Sequence, residues 1–123
     1  MDSTRAIRAT CPDCRGPLAE VVKVYGEHKL REFTCLVGHT YSPRTLLEAH
    51  SEVQERVLWA GIVALEESAI LVDTVASEFK PEVAKRLQEQ AQLKLQQAAA
   101  LRSIIEHLEP FQTGPTDEPR RAR

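Results

Sequence analysis

Aromatic residues are only 5% of the 123-residue chain, glycine occurs five times, and no acidic or basic excess stands out, with 16 Lys and Arg against 18 Asp and Glu. Each scarcity excludes something. Few aromatics, beside C-terminal two-thirds rich in Ala, Leu, Glu and Gln, suit helices better than sheet. A formal charge of −2 creates no global field that would draw the protein onto nucleic acid or an anionic membrane. No stretch of about 18 uncharged apolar residues is present, and Met1-Asp-Ser-Thr-Arg5 lacks the apolar core of a signal peptide. The expectation is therefore a cytoplasmic protein with no membrane segment. Catalytic signatures are missing too: there is no Gly-x-Ser-x-Gly elbow, no phosphate-cradling glycine loop, no His-Glu-x-x-His and no Glu-x-x-His. The reading is of a chain that is not an enzyme, with no small-molecule substrate to infer.

What is present falls into regions of different composition. Residues 1–8 read as a flexible N-terminus. Residues 9–42 hold every cysteine and most of the β-branched alternation. There Glu20–Tyr25 and Leu30–Cys35 have strand character, joined by Gly26-Glu-His-Lys29 as a four-residue loop of hairpin length. Ser42 then offers an N-cap and Pro43 a first helical residue. Helices are expected over about 43–79 and 81–109, bounded by Pro81 and Pro110, and the short link between them folds them into an antiparallel helical hairpin. Leu46, Leu47, Leu108 and Phe111 are the expected joint between the two halves. Residues 112–123, ending in Pro119-Arg-Arg-Ala-Arg123, read as a disordered tail. The fold class expected is α+β, mostly α, with a zinc ribbon over 9–42 and a helical hairpin over 43–111.

The chemistry concentrates in Cys11-Pro-Asp-Cys14 and Cys35-Leu-Val-Gly-His39. Cys11, Cys14, Cys35 and His39 form a Cys₃His set suited to one tetrahedral zinc per chain, and four protein ligands leave no open position for a catalytic water. In a Cys-x-x-Cys turn both sulfurs face one point while following N–H groups aim at them. Gly16 and Gly38 stand where such turns tend to require a positive φ. An iron–sulfur cluster would want a fourth cysteine, and His28, the rival imidazole, lies in the hairpin loop. Oxidation of such thiolates with loss of metal is the chemistry of a thiol sensor.

The first helix carries two apolar stripes. One is Val53, Val57, Ala60, Ala64, Leu71 and Val75; the other is Leu58, Ile62, Leu65, Ala69, Val72, Ala76 and Phe79. One slim helix cannot cover both. The expected interface is Val57, Leu58, Trp59, Ile62, Leu65, Ala69, Val72 and Phe79, engaged by a second copy in a homodimeric four-helix bundle or by a different protein. Glu66 and Glu67 read as a solvated edge or an interchain ion pair. A nucleic-acid-binding ribbon is the alternative, with Arg5, Arg8, Arg15, Lys23, Lys29 and Arg31 as its positive charge, interleaved with Asp13, Glu20, Glu27 and Glu32.

Cys11-Pro-Asp-Cys-Arg-Gly-Pro-Leu18, Phe33-Thr-Cys-Leu-Val-Gly-His-Thr-Tyr-Ser-Pro43 and Val57-Leu-Trp-Ala-x-x-x-Ala-Leu-Glu-Glu67 together resemble the zinc-ribbon and helical extension that follows the catalytic domain in many chemotaxis-type protein-glutamate methylesterases. The likeness spans about residues 9–108. It implies Cys11, Cys14, Cys35 and His39 as metal ligands and a stand-alone accessory module in bacterial signalling. The methylesterase catalytic domain is absent, so the resemblance does not carry over its activity.

Overall fold

The computed structural model describes residues 2–114. The tail over 115–123, including the Pro119–Arg123 end, lies outside the described residues. The chain is α+β: a four-stranded antiparallel sheet in the order β1-β2-β3-β4, followed by two helices. Two compact units divide it, one running to Val53 and including the residues from Pro110, the other spanning Gln54–Glu109.

In the first unit, β2 (Pro17–Tyr25) and β3 (His28–Cys35) pair along their length from Leu18↔Cys35 to Tyr25↔His28. The connection is therefore two residues, not four. Gly26 sits at φ +63° while Glu27 stays at negative φ, the pattern of a tight II′ turn whose twist matches that of the strands. With so short a turn, His28 and Lys29 pair into β3.

The expected flexible N-terminus is instead β1 (Ser3–Thr10), an edge strand against β2 with its register shifting between Ala6 and Thr10. Its residues are exposed except for the half-buried Ile7. Arg5 lies opposite Glu20, and that carboxylate also takes Arg31, at 2.6 and 3.0 Å. The two-residue β4 (Thr40–Tyr41) closes the other edge on β3. Cys11, Leu18, Cys35, Tyr41 and Ala49 form the core, with Ile7, Phe33 and Leu46 packed on it. Of the four residues expected at a joint, Leu46 thus belongs to this core, whereas Leu47 and Phe111 are exposed.

Helix α1 (Pro43–Val75) starts at a reciprocal cap. The Thr45 N–H donates to Ser42 Oγ at 3.1 Å, and the Ser42 N–H donates to Thr45 Oγ1 at 2.9 Å, so two otherwise orphan donors are satisfied. Arg44, in the first turn, donates to the carbonyls of Thr113 and Gly114. The division into units falls inside α1, after Val53, rather than at the helix start.

In the second unit α1 ends at Val75 and tightens into a 3₁₀ turn over Ala76–Glu78. The helix stops short of Phe79 because the chain must reach Lys80 extended: at φ −59°, ψ 150° this residue obeys the restriction that Pro81 imposes on its predecessor. Pro81 occupies the first turn of α2 (Pro81–Glu106), and Lys80 makes no side-chain cap. The buried side chains here are Ile62, Ala91 and Ala98. Across them Arg102 meets Glu66 in a two-pronged bond at 3.0 and 3.2 Å and lies over the Trp59 ring at 5.4 Å, so Glu66 has an intrachain partner.

Two glycines separate backbone need from helix propensity. Nothing lies within 4 Å of a Cβ built on Gly26, so Gly26→Ala is expected to lose about 1–2 kcal/mol in urea unfolding through left-handed strain alone. A Cβ on Gly61 meets Leu101 Cδ1 at an ordinary 3.5 Å, and Gly61→Ala is expected to gain about 0.5–1 kcal/mol in the same assay.

Candidate metal centre

The two cysteine-bearing turns lie at one end of the sheet because β2 leaves the first at Pro17 and β3 enters the second at Cys35, with Leu18 paired to Cys35. The first turn is closed by the Arg15 N–H to the Cys11 carbonyl at 2.8 Å and the Cys11 N–H to the Gly16 carbonyl at 2.7 Å. The second is closed by Gly38 N–H to the Cys35 carbonyl and Cys35 N–H to the His39 carbonyl, both at 3.1 Å. Gly38 has the expected positive φ, +104°. Gly16 does not. Arg15 takes the left-handed conformation, φ +64°, and Gly16 serves a different need: a Cβ there would stand 3.3 Å from Cys14 Sγ. With no Cβ in the way, the Gly16 N–H donates to that sulfur at 3.4 Å.

One ligand atom each from Cys11, Cys14, Cys35 and His39 falls within a 4.8 Å span. Cys14 Sγ is 3.7 Å from Cys35 Sγ, and His39 Nδ1 is 3.6 Å from Cys11 Sγ and 3.3 Å from Cys35 Sγ. Zinc bonds of about 2.3 Å to sulfur and about 2.0 Å to nitrogen give tetrahedral edges of about 3.8 Å between sulfurs and about 3.5 Å between sulfur and nitrogen. The separations fit a single small cation bound through Nδ1. His28, paired across the turn with Tyr25, is not part of the cluster.

Charge on the sulfurs is met by local donors. Burial pushes the Cys35 thiol up, but the N–H groups of His39, Val37 and Gly38, with the Cys14 thiol, outweigh it and bring the group down to about 7. Cys11 is likewise held below the ordinary thiol range: burial raises it, while the Tyr41 hydroxyl and the N–H groups of Cys14 and Asp13 lower it more. At Cys14 the Gly16 N–H favours the thiolate, yet burial and the two neighbouring thiols together leave it above the ordinary value.

Two residues that sequence reasoning passed over complete the surroundings. The Tyr41 hydroxyl is 3.4 Å from Cys11 Sγ and donates to the Asp13 carboxylate. Burial first, then the bond to Asp13, push its ionisation far above the usual phenol range, so it remains a neutral donor. The signal lay in the motifs themselves, where Asp13 stands inside the first and Tyr41 two residues past His39.

The structure divides the expected interface set. Ile62 is buried, Leu58, Leu65, Ala69 and Val72 are half-buried inside the second unit, and Val57, Trp59 and Phe79 are exposed. Within the second unit the open large apolar side chains of α1 are Val57, Trp59, Val63, Ile70, Leu71 and Val75, 40–63% exposed. Among the basic residues of the sheet, Arg5 and Arg31 are tied to Glu20, and Lys23 to Glu32 at 3.4 Å. Among the described residues no helix is long and apolar enough to cross a membrane. Comparison with protein-family models, with curated proteins and with solved structures finds no match.

In metal-free protein a step in thiolate absorbance is expected near pH 7, and Cys35→Ser is expected to remove that step, leaving the step of Cys11, itself below the ordinary thiol range, and that of Cys14 above it. Below that pH protons compete for the sulfurs and metal affinity falls. Gly16→Ala, which crowds Cys14 Sγ, is expected to weaken metal binding about tenfold in a chelator competition.

Proposed function

We propose that this chain is a non-catalytic, zinc-binding protein-interaction module, a zinc ribbon joined to a helical hairpin that dimerises or docks a partner through its first helix. The observation that carries the reading is the closed four-ligand cluster of Cys11, Cys14, Cys35 and His39. Thiolate-rich tetrahedral sites select zinc, and four protein ligands make the metal a structural cross-link rather than a reaction centre. In this role Cys11, Cys14 and Cys35 supply thiolates, His39 its Nδ1, and the bound ion contributes folding free energy to the small sheet, about 10 kcal/mol or more on the scale of zinc-finger peptides.

The interaction surface is the side of α1 opposite Ile62, where Val57, Leu71 and Val75 stay open and Ala60 and Ala64 are exposed between them. Clustered apolar side chains left open on a helix mark an association face. The pairing of Arg5, Arg31 and Lys23 with carboxylates supports this reading over the nucleic-acid one, since it leaves Arg8, Arg15 and Lys29 as the open basic side chains of that set. The resemblance to the extension of chemotaxis-type methylesterases supports a reading of this module as part of bacterial signalling.

Native mass spectrometry of protein purified without chelator tests both halves of the reading. A dimer with one zinc per chain is the expected spectrum; Leu71→Glu is expected to give a zinc-loaded monomer of unchanged helicity. A metal-free chain sinks the zinc assignment, and a Leu71→Glu variant that still dimerises sinks the interface. Chelation is expected to unfold the sheet unit while most of the helical circular dichroism persists.

A further inference from the structure

The three sulfurs of the cluster differ in two ways that bear on their chemistry. Cys11 and Cys35 are covered, at 0% and 6% exposure, whereas Cys14 is exposed. The donors are unevenly shared as well. Cys11 has the N–H groups of Asp13 and Cys14, and Cys35 has the N–H groups of Val37, Gly38 and His39. Cys14 has one backbone donor, Gly16. A bound thiolate with fewer hydrogen bonds keeps more electron density on sulfur, and the exposed one is the one an oxidant can reach. Directly behind it, at 3.7 Å, stands Cys35 Sγ from the opposite turn.

We infer that Cys14 is a peroxide-oxidation site of the metal centre, with Cys35 as its resolving thiol, so that oxidation links the two turns and releases the ion. The inference rests on the zinc reading above and adds to it which sulfur reacts and with which partner. In the first step Cys14 Sγ attacks one oxygen of hydrogen peroxide: an S–O bond forms, the O–O bond breaks and hydroxide leaves, sulfur losing two electrons and the peroxide gaining them. In the second step Cys35 Sγ attacks the sulfenic sulfur: the S–S bond forms, the S–O bond breaks and a second hydroxide leaves. Two thiolates and one peroxide become one disulfide and two hydroxides. The ion, left with Cys11 and His39, loses half of its ligands and departs without change of charge.

The test treats the zinc-loaded full chain with hydrogen peroxide, follows zinc with a chromogenic chelator, traps sulfenic acid with dimedone and maps disulfides by peptide mass spectrometry. Expected are dimedone on Cys14, a single Cys14–Cys35 disulfide, and one zinc released per disulfide formed. Cys14→Ser is expected to slow peroxide-dependent release at least tenfold, although loss of a ligand by itself would speed release. Dimedone on Cys11 or Cys35, a disulfide containing Cys11, or undiminished peroxide-dependent release from Cys14→Ser overturns the inference. Should the chain carry no zinc, the functional reading fails on its own; the disulfide map of the metal-free chain then decides the pairing, Cys14–Cys35 supporting it and any Cys11 link refuting it.

Discussion

Everything in the sheet unit depends on bringing three sulfurs and an imidazole nitrogen within one ion's reach. Two of those sulfurs are also core: Cys11 and Cys35 pack with Leu18, Tyr41 and Ala49, so the ligand set and the hydrophobic cluster are largely the same residues. So few apolar side chains cannot hold a four-stranded sheet by burial alone. A cation at their centre would turn the mutual repulsion of close-packed thiolates into attraction, and the N–H groups around Cys11 and Cys35 are placed for the charged form of sulfur. The residues packed around the sulfurs follow the same logic. Tyr41, locked on Asp13, is kept protonated beside Cys11, and Gly16 is bare because Cys14 Sγ occupies the space its Cβ would need.

How far the sequence could be read depended on how local each signal was. The four-residue cluster was legible because Cys-x-x-Cys and Cys-x₃-His spacings act within single turns, and the centres of β2 and β3 were legible from Val21, Val22 and Val24 and from Phe33-Thr34. Strand β1 was not: with only Ile7 half-buried, Ser3–Thr10 has no face to alternate, and it is a strand because β2 offers it an open edge. The left-handed residue of the first turn was assigned to Gly16 by composition, yet the closure between Cys11 and Gly16 places it on Arg15. The two apolar stripes of α1 were both visible. Which of them faces α2 was not, since either satisfies the helical period; the burial of Ile62 and the contact of Gly61 with Leu101 decide it. Helix starts read well from Ser42-Pro43 and Pro81, whereas the ends over Ala76–Phe79 and at His107 are set by turn geometry that no single residue announces.

The helical unit is built on the opposite plan from the sheet. Its buried side chains are one isoleucine and two alanines, with no thiol or imidazole among them. Alanine at Ala91 and Ala98 costs no side-chain entropy in a helix, but it hides little surface. Arg102, bridging Glu66 and Trp59 at the surface, adds specificity of register more than energy.

That alanine-lined seam has a calorimetric consequence. The heat capacity increment of unfolding scales with the apolar surface exposed. A unit that conceals little such surface has a small increment, hence a broad, shallow stability curve with only weak destabilisation on cooling. Its enthalpy of unfolding then varies little with temperature and comes mainly from the helical backbone bonds, so by itself this seam melts gradually, over a wide range of temperature, in the manner of a helix–coil transition.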